Sequence, residues 1–71
     1  MNREKELKKL AKKIKNARLV KGVSQEVLAD DCGFDRTYIS MLERGKRNPS
    51  YLNLLKLSKG LKISLLPLIE N

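Results

Sequence analysis

Glycines followed closely by helix-capping side chains divide this sequence into short segments. Gly22 is followed two residues later by Ser24. Asp35 follows Gly33 at the same spacing. Glycine adopts the left-handed backbone conformation that ends many helices, whereas a Ser or Asp side chain accepts a free N–H at the start of a helix. The pattern predicts five helices: residues 3–21, Ser24 to about Cys32, Asp35 to about Arg44, Ser50 to Leu61, and a short one capped by Ser64.

Within these segments, apolar residues recur every three or four positions, as in helices that bury one face. The first segment has Leu7, Leu10, Ala11, Ile14 and Ala17, and the fourth has Tyr51, Leu54, Leu57 and Leu61. Gly60 is expected to weaken the fourth helix by about 1 kcal/mol relative to Ala. Pro67 must lie in the first turn of the fifth helix, where its missing N–H does no harm. We therefore expect one compact all-α domain of five helices over residues 1–71.

Basic side chains are concentrated in two places. Residues 1–21 hold nine Lys or Arg against Glu4 and Glu6, and supply +7 of the formal net charge of +8. A second basic cluster lies at residues 44–47. Segregated positive charge favours a nucleic-acid partner. The alternative for the first segment is a Lys-rich helix face that is simply solvated.

The composition argues against several classes of function. There is no His for acid–base catalysis or metal binding, and the single Cys cannot form an internal disulfide or a zinc site. One Cys fits a reducing compartment and predicts a cytoplasmic location. No apolar run approaches the roughly 18 residues that span a membrane. We therefore expect no enzyme activity, metal, cofactor, small-molecule substrate or membrane anchorage.

The second and third helices are separated by a turn too short for a relaxed antiparallel hairpin. Two helices joined by so short a turn cross each other at a steep angle, as in a helix-turn-helix. The crossing requires a small residue where the helices touch, here Ala29, and a residue that tolerates positive φ in the turn, here Gly33. Ile39 and Leu42 fill the crossing from the third helix. The sequence therefore predicts a helix-turn-helix over residues 24–44.

Three runs in and directly after this region carry a resemblance to a known family: Ser24-Gln25-Glu26-Val27-Leu28-Ala29, Asp35-Arg36-Thr37-Tyr38-Ile39-Ser40 and Glu43-Arg44-Gly45-Lys46-Arg47-Asn48. The chain resembles helix-turn-helix regulators of the phage-repressor type, and most of all the controller proteins of restriction–modification systems. The resemblance implies a lambda-repressor-like DNA-binding fold and a small homodimer that regulates its own operon. It also implies a prokaryotic protein that works at the nucleoid on a palindromic double-stranded operator.

The resemblance further implies which residues contact DNA. The residues expected to contact bases are Arg36, Thr37, Tyr38 and Met41. Those expected to contact phosphates are Gln25, Ser40, Arg44, Lys46, Arg47 and Asn48. Two of these have a structural alternative, since Arg36 can form a surface ion pair with Asp35 and Tyr38 can pack on Phe34.

Other charged residues match positions with different roles in the family. Arg18 and Glu43 match a pair that joins the first helix to the end of the recognition helix, and we expect this pair to be structural. Glu26 and Asp30 lie on one face of the second helix. The resemblance makes them candidates for contacting the sigma subunit of RNA polymerase, and the alternative is a solvated face. Cys32 is expected in the core.

The C-terminal segment is richer in apolar residues than a short helix can bury within one chain. Leu61 and Ile63 are expected to close the core, whereas Leu65, Leu68 and Ile69 are expected to form a dimer interface within residues 50–70. The alternative is that the whole segment only closes the core of one chain. Two recognition helices on a two-fold axis would read half-sites about one helical turn apart.

Several other functions compete with the controller protein. An antitoxin or a phage repressor shares much of the same sequence. A basic amphipathic module for membrane surfaces or partner helices would explain residues 3–21, but it leaves the residues of the crossing unexplained. RNA binding is disfavoured because only three aromatic residues are available for stacking.

Overall fold

Five α-helices make up the part of the chain that this computed structural model describes, residues 2–70. They are α1 (Arg3–Lys21), α2 (Gln25–Cys32), α3 (Arg36–Glu43), α4 (Tyr51–Leu61) and α5 (Leu66–Ile69). Residues 2–70 contain no strand. The all-α fold class and the helix bounds predicted for α1 to α4 are confirmed.

Local side-chain bonds start helices α2 to α4, and a glycine in the left-handed conformation ends α2, as the sequence predicts. The side-chain oxygens of Ser24, Asp35 and Ser50 accept hydrogen bonds from first-turn backbone N–H groups at 3.1, 3.4 and 3.1 Å. At Gly33, which ends α2, φ is +77°. The three predicted caps and the left-handed turn at Gly33 are therefore confirmed.

The start of α5 differs from the prediction. Ser64 does not cap this helix: its N-cap is Leu65, which makes no side-chain capping bond. A capping oxygen at Ser64 would need an N–H two or three positions further on. The third position is Pro67, which has no N–H, so only the N–H of Leu66 could serve. The helix begins instead after Leu65, whose carbonyl accepts the backbone N–H of Leu68 at 2.9 Å. Pro67 does lie in the first turn, as predicted.

The core is formed where α1 to α4 meet, and α5 closes it. Its largest fully buried side chains are Ile14, Leu28, Ile39, Leu42 and Leu57. Tyr51, predicted to face inward, is 64% exposed because the first turn of α4 extends beyond the core. Leu61 is buried and Ile63 packs against the core, as predicted.

The helix-turn-helix has the predicted crossing. Ala29 and Ile39 are buried between α2 and α3. The backbone N–H of Phe34 donates to the Ala29 carbonyl at 2.8 Å, which fixes the turn that follows Gly33. The crossing holds α3 with one face in the core and the other in solvent.

A second close approach, between α2 and α4, occurs at Gly60. Gly60 is buried, and a Cβ atom added to it would collide with the Cys32 Sγ atom. Cys32 lies in the core, as predicted, and burial raises the pKa of its thiol, which keeps the thiol protonated and unreactive. Gly60 therefore allows two helices to touch, a role that the prediction of a weaker last turn in α4 did not include.

Candidate nucleic-acid interface

The first turn of α3 projects from the protein surface. Arg36 and Thr37 are exposed, while the Asp35 carboxylate accepts the backbone N–H of Thr37 at 3.4 Å. Within residues 2–70, Arg36 forms no salt bridge. The alternative, a surface ion pair between Arg36 and Asp35, is therefore wrong. The guanidinium is free to bind a ligand in front of α3.

Tyr38 is held in place by three neighbours. Its ring packs edge-on against Phe34, with centroids 4.9 Å apart and an interplanar angle of 67°. Its hydroxyl accepts a hydrogen bond from the Asn53 side-chain amide at 2.9 Å. The Arg47 guanidinium lies 5.5 Å from the ring centroid. The predicted packing on Phe34 is present, and a base contact by Tyr38 would use the part of the ring that stays exposed.

Asn53 also belongs to this cluster, although the sequence did not single it out. Asn53 and the fully buried Leu57 are four residues apart, on one face of α4. A polar residue on an inward face is normally hydrogen-bonded, so the spacing could have shown that Asn53 needs a partner. It could not have identified Tyr38 as that partner.

The end of α3 is fixed to α1 by an ion pair. The Arg18 guanidinium donates to both Glu43 carboxylate oxygens, at 2.7 and 3.0 Å. Its remaining terminal nitrogen donates to the Val23 carbonyl at 2.9 Å. The hydrogen bond to Glu43 raises the pKa of Arg18, although burial acts in the opposite direction. The predicted pairing of Arg18 with Glu43 is present, and the Glu43 side chain is only 3% exposed.

Gln25 is part of the same hydrogen-bonded group. Its side-chain amide donates to a Glu43 carboxylate oxygen at 3.2 Å, so Gln25 supports α3 from the start of α2. Gln25 is half-buried. Its carbonyl oxygen cannot donate to a phosphate, so a phosphate contact would use the second N–H of the amide.

The segment after α3 adds positive charge next to its exposed face. Its exposed side chains are those of Arg44, Lys46, Arg47 and Asn48. The Arg44 Nε atom donates to the Ser40 carbonyl at 3.3 Å. Ser40 and Met41 are half-buried on α3 itself. We call the exposed parts of residues 36–48 the recognition surface.

The acidic residues of α2 fall into two groups. Asp31 pairs with the Lys21 ammonium at 2.9 Å, and the same ammonium bonds to the Gly60 carbonyl in the last turn of α4. Glu26 and Asp30 are exposed and form no salt bridge within the described residues 2–70. Asp31 is therefore structural, while Glu26 and Asp30 keep open carboxylates.

The predicted dimer residues are only partly at the surface. Leu68 is 2% exposed and lies in the core, so its assignment to a dimer interface is wrong. Leu65 is half-buried, and Ile69 is 53% exposed. Leu66, which the prediction omitted, is 61% exposed. Because α5 turns Leu68 inward, Leu66 and Ile69, three residues apart, form its outward face.

Residues 14–68 match a family model described as "Helix-turn-helix". These residues include α2, α3 and α4 in full and the C-terminal part of α1. Residues 2–13, which include the first eleven residues of α1, lie outside the match.

Similar proteins share both sequence and structure with the chain. It is 50% identical over 52 residues to the control protein C.BamHI of Bacillus amyloliquefaciens, a match that covers 72% of this chain and 64% of C.BamHI. The chain thus spans less than two thirds of the length of that relative. The restriction-modification controller protein C.AhdI of Aeromonas hydrophila has a TM-score of 0.93 and 39% identity, covering 97% of this chain and all of C.AhdI.

A second similar structure contains DNA. It is the restriction-modification controller protein C.Esp1396I, as a tetramer in complex with its natural 35 base-pair operator. This structure has a TM-score of 0.80 and 46% identity, and the match covers 83% of this chain and 78% of that one.

Proposed function

Since the chain belongs to the helix-turn-helix family, we propose that it is a sequence-specific, double-stranded DNA-binding regulator of transcription, of the restriction–modification controller type. The observation that carries the proposal is the exposed first turn of α3, with Arg36 unpaired and a basic segment beside it. The similarity to C.BamHI, C.AhdI and C.Esp1396I supports the controller type over a phage repressor or an antitoxin.

In this proposal α3 enters the major groove of B-form DNA. Arg36 can chelate O6 and N7 of a guanine, and Thr37 can contact a thymine methyl group. Tyr38 and Met41 are proposed to contact neighbouring bases. Such contacts select a sequence because each base pair presents its own pattern of donors and acceptors in this groove.

The residues around α3 are proposed to bind the DNA backbone. These are Gln25, Ser40, Arg44, Lys46, Arg47 and Asn48. Contacts to phosphates fix the position of the protein on the duplex and add affinity, but they do not select a sequence. The proposed interface thus separates two roles: a short row of base-reading side chains, and a set of backbone contacts on either side of it.

This separation predicts different effects for Arg36→Ala and Lys46→Ala. A duplex enriched by the wild-type protein from a randomised pool serves as the operator, and a scrambled duplex of equal length is the control. Arg36→Ala should lower operator affinity at least about tenfold while leaving scrambled-duplex affinity nearly unchanged. Lys46→Ala should weaken both by the same factor. Fluorescence anisotropy titrations measure both, and equal losses for Arg36→Ala on the two duplexes would contradict the assignment.

We further propose that the regulator is a homodimer on a palindromic operator. One recognition helix reads only a few base pairs, whereas a genome offers about a million or more competing sites, so two linked readers are needed. The outward face of α5, Leu66 and Ile69 with Leu65 beside it, is the proposed interface. An isologous contact would cover this apolar face with the same face of a second copy.

Substitution on the α5 face should therefore separate the subunits. Leu66→Asn with Ile69→Asn is expected to convert a dimer to a monomer in sedimentation equilibrium. Leu19→Asn with Val20→Asn is the matched control, because these α1 side chains are 56% and 89% exposed and equally apolar. The control should stay dimeric. A monomeric wild type, or a dimeric α5 variant, would refute the interface.

Two points concern the regulatory circuit. The exposed carboxylates of Glu26 and Asp30 are proposed to contact the sigma subunit of RNA polymerase. Cross-linking from position 26 to purified sigma subunit can test this contact.

The protein would be autoregulatory if it binds upstream of its own gene, and footprinting on that promoter is the direct check. An adjacent endonuclease–methyltransferase gene pair would support the controller type, whereas an adjacent toxin gene would support an antitoxin.

A further inference from the structure

The solvent face of α1 carries a row of lysines that the recognition surface does not include. Lys8, Lys12 and Lys15 are spaced four and three residues apart, so they lie on one face of the helix. All three are exposed. We call them the α1 lysine face. Two of the three lie outside the residues that match the helix-turn-helix family model.

This face adjoins the recognition surface. A Cβ atom placed on Gly45 would lie 3.5 Å from the Leu7 carbonyl oxygen and 3.5 Å from the Lys8 Cα atom. The segment after α3 therefore touches the α1 backbone at Lys8. The Arg18–Glu43 ion pair fixes the end of α3 to α1 ten residues further along. Between these two anchor points, α1 carries Lys12 and Lys15, both with exposed side chains.

Folding alone does not explain this arrangement. Lys8 forms only an exposed pair with Glu4, at 3.5 Å, and such pairs contribute about 0–1 kcal/mol. Within residues 2–70, Lys12 and Lys15 form no salt bridge. Their charges add repulsion to a chain whose formal net charge is +8. A polyanion that contacts both the α1 lysine face and the recognition surface would be attracted by all of these charges and would offset their mutual repulsion.

A membrane surface fits the face less well than DNA does. An interfacial helix binds a bilayer by inserting its apolar side. The apolar side of α1 is not available, because Ala11 and Ile14 are buried in the core. Across residues 2–70, none of the helices combines the length and apolar character needed to span a bilayer.

We propose that the α1 lysine face binds backbone phosphates of the DNA that flanks each half-site. This inference rests on the proposed function, since α3 must first be seated in the major groove. The face would lengthen the DNA footprint without reading its sequence. It would also make affinity depend on the length of flanking duplex and on salt, because every neutralised phosphate releases bound counterions.

The test compares two double variants that remove the same charge from α1 and from the end of α4. Lys12→Gln with Lys15→Gln changes the proposed face. Lys59→Gln with Lys62→Gln is the control, because both side chains are exposed, form no salt bridge within residues 2–70 and lie outside the recognition surface. Gln and Lys have similar helix propensities, so both variants should keep the fold. The probe is the wild-type-enriched operator, either trimmed to its two half-sites or extended by about ten base pairs of arbitrary sequence on each side.

We expect the wild type and the control to bind the extended duplex more tightly than the trimmed one, and Lys12→Gln with Lys15→Gln to lose this gain. Its salt dependence should also be shallower, by about 0.9 per phosphate contact and up to about 3.6 for a dimer. Between about 50 and 200 mM salt, the wild type should then lose roughly 100-fold more affinity than the variant.

Three results would overturn the inference: an unchanged gain in the variant, equal effects of the two lysine pairs, or loss of the gain together with stronger lysine-dependent binding to anionic phosphatidylglycerol vesicles. Equal effects would mean that net charge matters rather than a particular face. If the wild type enriches no sequence at all, the proposed function itself fails. If it enriches an operator but flanking DNA adds nothing, only the α1 lysine face is refuted.

Discussion

Replacing Glu43 by Ala is expected to lower the free energy of unfolding by about 3–5 kcal/mol, the cost of leaving one partner of a buried ion pair alone. The Arg18 side chain is 11% exposed and would lose both charged hydrogen bonds, keeping only Val23. Gln25 would lose its partner as well. Because small domains are stable by only about 5–15 kcal/mol, Glu43→Ala should be close to unfolding at 25 °C. Urea denaturation followed by circular dichroism measures the loss.

A second variant separates the ion pair from simple loss of packing. Changing Arg18→Met together with Glu43→Leu removes both charges and fills much of the same volume, and such replacements are often neutral or stabilising. The double variant should therefore recover most of the stability that Glu43→Ala loses. If both unfold at the same urea concentration, an unpaired charge is not the cause. If Glu43→Ala stays within about 1 kcal/mol of wild type, the pair is not the main anchor of α3.

Gly60→Ala is expected to destabilise the protein, although Ala is the better helix former by about 1 kcal/mol. The added methyl group would collide with the Cys32 sulfur, and it would lie 3.4 Å from the Cys32 backbone nitrogen. Overfilling a packed core costs about 1–3 kcal/mol. For a domain of this size, each kcal/mol corresponds to roughly 4–8 °C in Tm. Thermal unfolding of Gly60→Ala should show a lower Tm than wild type.

The sulfur atom itself can be tested as the cause. In a Cys32→Ala background the collision is removed, so Gly60→Ala should be neutral or stabilising relative to Cys32→Ala alone. The difference between the two backgrounds measures the coupling of the two positions. A Gly60→Ala change that raises Tm in the wild-type background would show that helix propensity outweighs the contact.

Structural features that depend on residues close together in the sequence could be predicted. The caps at Ser24, Asp35 and Ser50 depend on atoms two or three residues away, so local sequence specifies them. The crossing at Ala29 and Gly33 joins adjacent helices through a short turn, and it was also predictable. The exposure of Arg36 follows from the same geometry, because the opposite face of α3 fills the core.

Contacts between distant segments could not be predicted in the same way. Gly60 is needed because it contacts Cys32, and Asn53 donates its hydrogen bond to Tyr38. The spacing of residues along the sequence identifies neither partner. Because α5 has only four residues, periodicity cannot distinguish its two faces, and the prediction for Leu68 is wrong for that reason. The DNA and polymerase contacts stay predictions, since they depend on partners outside the chain.

The weakness of α5 links folding to association. This helix has four residues and no side-chain cap, and the proposed dimer would cover its outer face. A second copy that binds only the folded form stabilises it by mass action, so the chain should be more stable when it is abundant. A scarce, newly made chain would then be the form most open to cellular proteases, and accumulation would protect it.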